Sequence, residues 1–432
     1  MIEGSLMHSI MRFLIVDVVL VFLTGPLFIF LVLGIIALAY YLRRPLNLVL
    51  DLTGNKSDKH FQLPAKSEAM AKEQLLSRLR NISAKQKLPL YPNGWFGLME
   101  SSEIGFDQMK HVSALGETFT VLRKSDGKVH VFDSYCPHSG ASLGKGETAK
   151  YSSSACSKKC ESIPCTEEVP DLARLRTWKS VEVNDIIFVW YHAEGEEPSY
   201  EPQPWEEITN GGYKFVGRFE STCDAHIEDG IQNLADNAHV NKVHAPRMGL
   251  AGADFDGSMR KWLSYFAVHV QKSTWEPDAY LPHLAWTRTK FQLYLFNKIP
   301  ILGANGLRVI ARTIGPSIFE VSVSVWNLTA HQTFFVTPVG PLTLRVVDRI
   351  YARPFENLVG RVFLWGFKQA IEEDIMLWNY GTPRPQLNVV KEEKTLLNFR
   401  RWYSQFYSEN SPSLNCQDES ITTNFNGKAI AA

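Results

Sequence analysis

The densest chemistry in the sequence lies in one block, Asn233-Leu234-Ala235-Asp236-Asn237-Ala238-His239-Val240-Asn241-Lys242-Val243-His244-Ala245-Pro246. Asn233, Asp236 and His239 recur at every third position, so a helix carries them on roughly one face. His244 follows His239 by five, about 140° round an ideal helix. Ala245 precedes a proline and is pushed out of helical geometry, so the helix is expected to end there and swing His244 inward. Two imidazoles and one carboxylate, with coordination positions left open, form the facial triad with which iron(II) takes up dioxygen. Two surface histidines can share this spacing, but the flanking Asn and Asp argue for a metal. A third ligand must come from elsewhere. The candidate is Glu372-Glu373-Asp374, three acids that run into Met376, Leu377 and Trp378. That side of a helix could face a core at Asp374, or the acids could form a solvated cluster.

A second cluster contains sulfur. Four of the six cysteines, Cys136, Cys156, Cys160 and Cys165, fall within thirty positions, and Cys136-Pro137-His138 is followed by small residues. A secreted scaffold held by disulfides would be shorter and denser in Cys. A Cys/His pair two apart at the end of two strands can reach separate irons of a [2Fe–2S] cluster, whose Rieske form takes two Cys and two His. Cys156, eighteen positions after His138, is the second cysteine. The position three further on is Lys159, and there is no His from residue 139 to 191.

The elements that must position these groups follow from periodicity and turn chemistry. Phe119–Arg123 and Val129–Phe132, joined through Ser125-Asp126-Gly127, read as a hairpin, as do Trp178–Val183 and Ile186–Tyr191 about Asn184-Asp185. Residues 91–200 thus form a small all-β module. A longer α+β stretch follows Pro202-Gln203-Pro204-Trp205 and spans 201–410, with strands at Leu307–Arg312, Phe319–Val325 and Thr343–Ile350 and a helix over Phe355–Tyr380. Ahead of these lie a short segment 1–17, an uncharged run 18–42 broken by Gly25-Pro26, and a polar, basic linker 43–90 with an amphipathic helix around Glu68–Ile82. The uncharged run is long enough for a single transmembrane anchor. Arg43, Arg44, Lys56 and Lys59 put the chain after it in the cytosol. The run is too long for the apolar core of a cleaved signal peptide. The tail 411–432 is Ser/Asn/Asp-rich and is expected to be disordered. Lys+Arg and Asp+Glu are both 45, so no global field recruits nucleic acid. An aromatic content of 12% suits large apolar cores and an apolar ligand cavity. No phosphate-cradling glycine motif is present.

Gly94-Trp95-Phe96, Lys110–Gly116, Asp133–His138, the Asn233–His244 block, Glu373–Asn379 and Arg401–Tyr407 occur in an order that resembles the Neverland-type Rieske oxygenases, which are cholesterol 7-desaturases. The sequence is similar, more distantly, to 3-ketosteroid 9α-hydroxylase oxygenase components. The resemblance implies a transmembrane helix, a Rieske domain and a helix-grip (START-like) catalytic domain. It makes His239, His244 and Asp374 the ligands of a mononuclear Fe2+, and Asp236 the carboxylate through which electrons arrive from a neighbouring subunit's cluster in a homotrimer. It implies oxygen-dependent conversion of cholesterol to 7-dehydrocholesterol, with electrons from NAD(P)H through a separate reductase, in a single-pass protein of the endoplasmic reticulum. Desaturation and steroid hydroxylation share these ligands.

The chain departs from the family at the second Cys. Where the pattern runs Cys-Pro-x-His-Gly-Trp, this chain has Cys156-Ser157-Lys158-Lys159-Cys160. The cluster set is then Cys136, His138 and Cys156, with the fourth ligand missing or supplied by Cys160. A catalytically impaired, membrane-anchored sterol-binding homologue is the corresponding alternative.

Overall fold

The computed structural model describes residues 11–12, 16, 25–53, 88–137, 140, 142, 175–236, 239, 243–244, 266–296, 298–300, 306–381, 383 and 394–414. It divides into two units, Met1–Leu46 and Asn47–Ala432. In the first, helix α1 (Pro26–Arg43) is 18 residues long. Gly25 is extended at φ −68 and ψ 149, so the helix starts at Pro26 instead of bending through the Gly-Pro pair. Proline at a first helical position loses nothing, because its missing N–H would have no partner there. Within the run expected over 18–42 as an anchor, a helix is described from Pro26 onward; residues 17–24 lie outside the described residues. Eighteen residues rise about 27 Å against a hydrocarbon core of about 30 Å. Among the described residues no helix is long and apolar enough to cross a membrane. Ile29, Phe30, Leu33, Ile35, Ile36 and Leu38 of α1 are nevertheless all more than half exposed.

The second unit begins within the edge strand β1 (Leu46–Asp51), where a linker was expected; its burial alternates along the strand. The amphipathic helix expected at 68–82 lies outside the described residues. The small module is built from β2 (Leu88–Pro89), β3 (Gly94–Glu100), β4 (Gln108–Ala114), β5 (Glu117–Arg123), β6 (Val129–Asp133), β7 (Thr177–Trp178), β8 (Ser180–Val183) and β9 (Ile186–Tyr191). These give a sheet β3-β9-β8 and a sheet β4-β5-β6-β7. Both expected hairpins form. Asn184 and Asp185 take positive φ at the second turn, as a two-residue hairpin requires. Trp178, expected at the head of that hairpin, instead pairs β7 with β6.

After the short α2 (Glu206–Thr209) come β10 (Lys214–Asp224), α3 (Ile227–Gln232), β11 (Phe266–Pro277), β12 (Leu284–Leu295), β13 (Ile299–Pro300), β14 (Arg308–Ile314), β15 (Ile318–Val325), β16 (Leu328–Gly340), β17 (Thr343–Ala352), α4 (Asn357–Tyr380), α5 (Lys394–Tyr403) and β18 (Ser413–Leu414). The large sheet runs β1-β10-β17-β16-β15-β14-β12-β11, with β13 beside β12. The architecture is α+β and mostly sheet. Ser413–Leu414 pairs with Leu88–Pro89, so the expected disordered tail is ordered at its start; residues 415–432 lie outside the described residues.

Strand alternation gives the large sheet two working faces. One receives the small module through a core of Trp95, Ile186, Phe188, Trp190, Leu284, Ile314, Ile318, Phe335 and Val347. The other receives α4, where Phe367 meets Phe334 edge-on at 5.7 Å. Backbone-directed hydrogen bonds fix the first contact, including Thr337 Oγ1 to Gly97 O at 2.7 Å and Arg345 Nη1 to Leu98 O at 2.8 Å. A Cβ at Gly97 would sit 2.5 Å from Phe335 Cδ2, and Phe335 is fully buried with no room to retreat. Gly97→Ala is therefore expected to destabilise the protein by about 1–3 kcal/mol, as overpacked core sites do. Chemical denaturation with a fluorescence readout checks it.

Candidate metal centre

Helix α3 and the turn after it carry the first half of the site. His226, the residue before α3, donates through Nε2 to Pro89 O, 2.7 Å away. Arg400 of α5 reaches Glu228 at 3.0 Å, Asp229 at 2.6 Å and Gln232 at 2.8 Å. Burial pushes the Glu228 carboxyl up to about 7 against the pull of the Arg400 guanidinium. The second half comes from α4, whose far end is tied down by Asn379: it accepts the Asp224 N–H at 2.8 Å and donates to Leu52 O at 2.6 Å. The stretch between Asp236 and Phe266 is described only at His239, Val243 and His244, and the last two sit in a π-type turn. That turn is where the proline at 246 was expected to break the helix.

The structure brings His239, His244 and Asp374 together. Their ligand atoms lie within 4.8 Å of one another, a set able to hold a metal ion. His239 Nε2 is 2.7 Å and His244 Nε2 3.2 Å from Asp374 Oδ1, and the two imidazoles stand edge to face at 5.1 Å. Two nitrogens and one oxygen thus converge on one side, the donor set that suits non-haem iron(II) and leaves positions open. Asp236 accepts the backbone N–H of His239 through Oδ1 at 3.0 Å, and Asn233 Nδ2 lies 3.4 Å from His239 Nε2.

The three acids of α4 are all buried and paired, and Glu373 and Asp374 share His244. Glu372 takes Lys368 Nζ at 2.5 Å, Glu373 takes His244 Nδ1 at 2.9 Å, and Asp374 takes the two Nε2 atoms. This rules out the solvated acidic cluster. The Glu373 contact escaped the sequence reading; its only signal was adjacency to Asp374. By binding Nδ1 it fixes the His244 tautomer that turns Nε2 inward, as carboxylates behind ligand histidines do.

Electrostatics follow from this packing. Burial raises the Asp374 carboxyl, but hydrogen bonds from His239 and His244 outweigh it and hold the group below its ordinary value. Burial lowers His244, but its bonds to Asp374 and Glu373 raise it to about 9. In the metal-free protein a raised imidazole stabilises the fold below its ordinary value of 6.5, and that contribution is lost as pH rises through about 9. Metal binding requires the neutral ring, so iron(II) uptake at pH 7 to 8 is expected to release about one proton from His244. Titration calorimetry in two buffers of different ionisation enthalpy measures it. Glu373→Gln is expected to weaken iron binding roughly tenfold, as the loss of such a partner does, and to reduce the release.

Of the sulfur cluster's residues only Cys136 lies among the described residues. It is buried beside Phe132 just after β6, with Leu122 and Leu175 packed against it. Gly140, at φ +68, returns its N–H to Cys136 O at 2.8 Å and closes the turn. His138, Cys156 and Cys160 lie outside the described residues.

Comparison with known proteins bears on both halves. Residues 189–407 match the 3-ketosteroid 9α-hydroxylase C-terminal domain model, and residues 94–172 match the Rieske [2Fe–2S] domain model. The chain is 35% identical to cholesterol 7-desaturase nvd 1 of Ciona intestinalis over 77% of its length and 72% of that protein. It is 33% identical to cholesterol 7-desaturase nvd of Xenopus laevis over 88% and 85%. The solved structure of dicamba monooxygenase bound to dicamba is similar in fold, with a TM-score of 0.54 at 14% identity over 74% of this chain and 98% of that one.

Proposed function

The chain belongs to the Rieske oxygenase family that contains the cholesterol 7-desaturases, and from that premise we propose that it is an oxygen-dependent sterol desaturase converting cholesterol to 7-dehydrocholesterol. The observation that carries this reading is the convergence of His239, His244 and Asp374 within 4.8 Å, in a chain 35% identical to a curated cholesterol 7-desaturase. As in the family, its cofactors are a [2Fe–2S] cluster and a mononuclear iron, with NAD(P)H acting through a separate reductase. The donor set fits iron. His239, His244 and Asp374 would hold it, and when bound it supplies dioxygen activation.

The protein's own groups do the rest. Asp374 brings the one negative charge among the ligands, and Glu373 keeps His244 Nε2 turned inward. The face of the large sheet under α4 is lined by Phe219, Phe334, Val346 and Ile350, which would keep water from a sterol laid against it. Asp236, bonded to the His239 backbone, is the electron entry point in this reading. The exposed apolar flank of α1 supports membrane attachment through a single N-terminal anchor, with the catalytic unit in the cytosol at the endoplasmic reticulum. Assembly as a trimer would bring one subunit's cluster to the next subunit's iron.

Lys159, where the family has a ligand histidine, favours a second reading: an impaired homologue that binds sterol without turning it over. Co-expression with its reductase in cells fed cholesterol separates the two by mass spectrometry of the sterols. 7-Dehydrocholesterol is the expected product. A hydroxylated steroid in its place would make the chain a hydroxylase, and unaltered cholesterol would leave the binding reading.

A further inference from the structure

Residues 344, 346, 348, 350 and 352 of β17 share the face turned toward α4. Alternation puts them together, and Ala352 identifies the face: a Cβ on Gly360 of α4 would lie 3.2 Å from Ala352 Cβ. Four of the five are Leu344, Val346, Ile350 and Ala352; the fifth is Asp348, 0% exposed. Its register partners are Phe219 on β10 and Phe334 on β16. Among the described residues neither Asp348 oxygen has a hydrogen-bond partner.

Two more buried polar groups on the same face are in the same condition. Among the described residues Gln332, opposite Ile350, finds no partner for Nε2, and Ser221, opposite Val346, finds none for Oγ. Unsatisfied buried polar atoms cost roughly 1–3 kcal/mol each, so three in one patch ask for an explanation. Placement supplies one. Phe334, beside Asp348, meets Phe367, and from Phe367 to Asp374 is two helical turns, about 10 Å along α4. The polar patch and the metal centre thus lie along one helix over an otherwise apolar face.

We propose that Asp348, with Gln332 and Ser221, forms a subsite that binds the hydroxyl group of a sterol whose ring system extends along α4 to His239, His244 and Asp374. The assignment rests on the sterol reading above. Burial pushes the Asp348 carboxyl up to about 8, so the group is mostly protonated at neutral pH. A protonated carboxyl offers one donor and one acceptor and carries no charge, which matches a neutral alcohol. A ketone can accept from it but cannot donate back, and a hydrocarbon does neither.

The test measures equilibrium binding of cholesterol and of its analogue lacking the hydroxyl to the iron-loaded full chain, alongside product formation. The unsubstituted protein is expected to prefer cholesterol by about tenfold or more, the scale of a hydrogen bond whose absence strands a buried partner. Asp348→Leu is expected to erase that preference by weakening cholesterol binding while leaving the analogue's affinity equal or improved. Asp348→Asn, nearly the same shape, guards against misfolding of the leucine variant and is expected to reduce the preference without loss of thermal stability. Retention of the full preference in both variants would overturn the subsite. So would equal binding of both ligands by an unsubstituted chain that still makes 7-dehydrocholesterol, a result that leaves the desaturase reading intact. Failure of that chain to bind either sterol would remove the desaturase reading and the subsite together.

Discussion

Asp374→Asn is expected to empty the metal centre and to lower sterol turnover to background. Asp374 Oδ1 is the common neighbour of both ligand nitrogens, and the carboxyl is buried and held ionised by them. The amide has the same shape but no charge, so an iron(II) ion would meet two imidazoles and no anion in a site with little access to water. Loss of a partner behind a ligand costs roughly 10–100-fold in metal affinity, and loss of an ionised ligand should cost more, about 100-fold at least. Elemental analysis of purified protein reads the iron, and sterol analysis reads the turnover. Helix α4 remains anchored by Asn379 and by the Phe334–Phe367 contact, so circular dichroism should be unchanged. Full iron content in this variant would mean that another group is the third ligand.

Cys136→Ser is expected to remove the [2Fe–2S] signal in electron paramagnetic resonance and to cut reductase-driven turnover on the order of 100-fold or more, a barrier of about 2.7 kcal/mol. The mononuclear iron should stay. Serine keeps the volume of a side chain that is 7% exposed, and the Gly140 N–H still finds the residue 136 carbonyl, so the turn persists. What is lost is the soft thiolate that holds cluster iron. Lys159→His is the informative partner variant. It places an imidazole three residues after Cys156, where the family has one, and should strengthen the cluster signal. If Cys160 supplies the fourth ligand in the chain as it stands, Cys160→Ser weakens the signal as Cys136→Ser does.

The small module's hairpins were legible because turn chemistry acts locally: Ser125-Asp126-Gly127 and Asn184-Asp185 each specify their reversal in two or three residues. The long helix was legible from its period, and the ligand pair from spacing. Asp374 was not separable from Glu372 and Glu373 by sequence chemistry, because adjacent helix positions differ in direction by about 100° and only the packed sheet decides which points at the histidines. The edge strand Leu46–Asp51 was missed because six residues with no turn signal beside an apolar run read as linker; its pairing with β10 is a tertiary choice. Asp348 left a fainter trace. In Thr343–Ala352 alternation groups Asp348 with Leu344, Val346, Ile350 and Ala352 and apart from Arg349, but only the packed structure says that α4 closes over that face.

The most direct test of a sterol-oxidising iron at His239, His244 and Asp374 is electron paramagnetic resonance of the ferrous, nitric oxide-treated full chain, with and without cholesterol. The account predicts a high-spin ferrous nitrosyl signal at about one per chain, absent from Asp374→Asn and altered in shape by cholesterol but not by its hydroxyl-free analogue at equal concentration. A signal that survives Asp374→Asn, or one that cholesterol leaves unchanged at concentrations that give product, would contradict it.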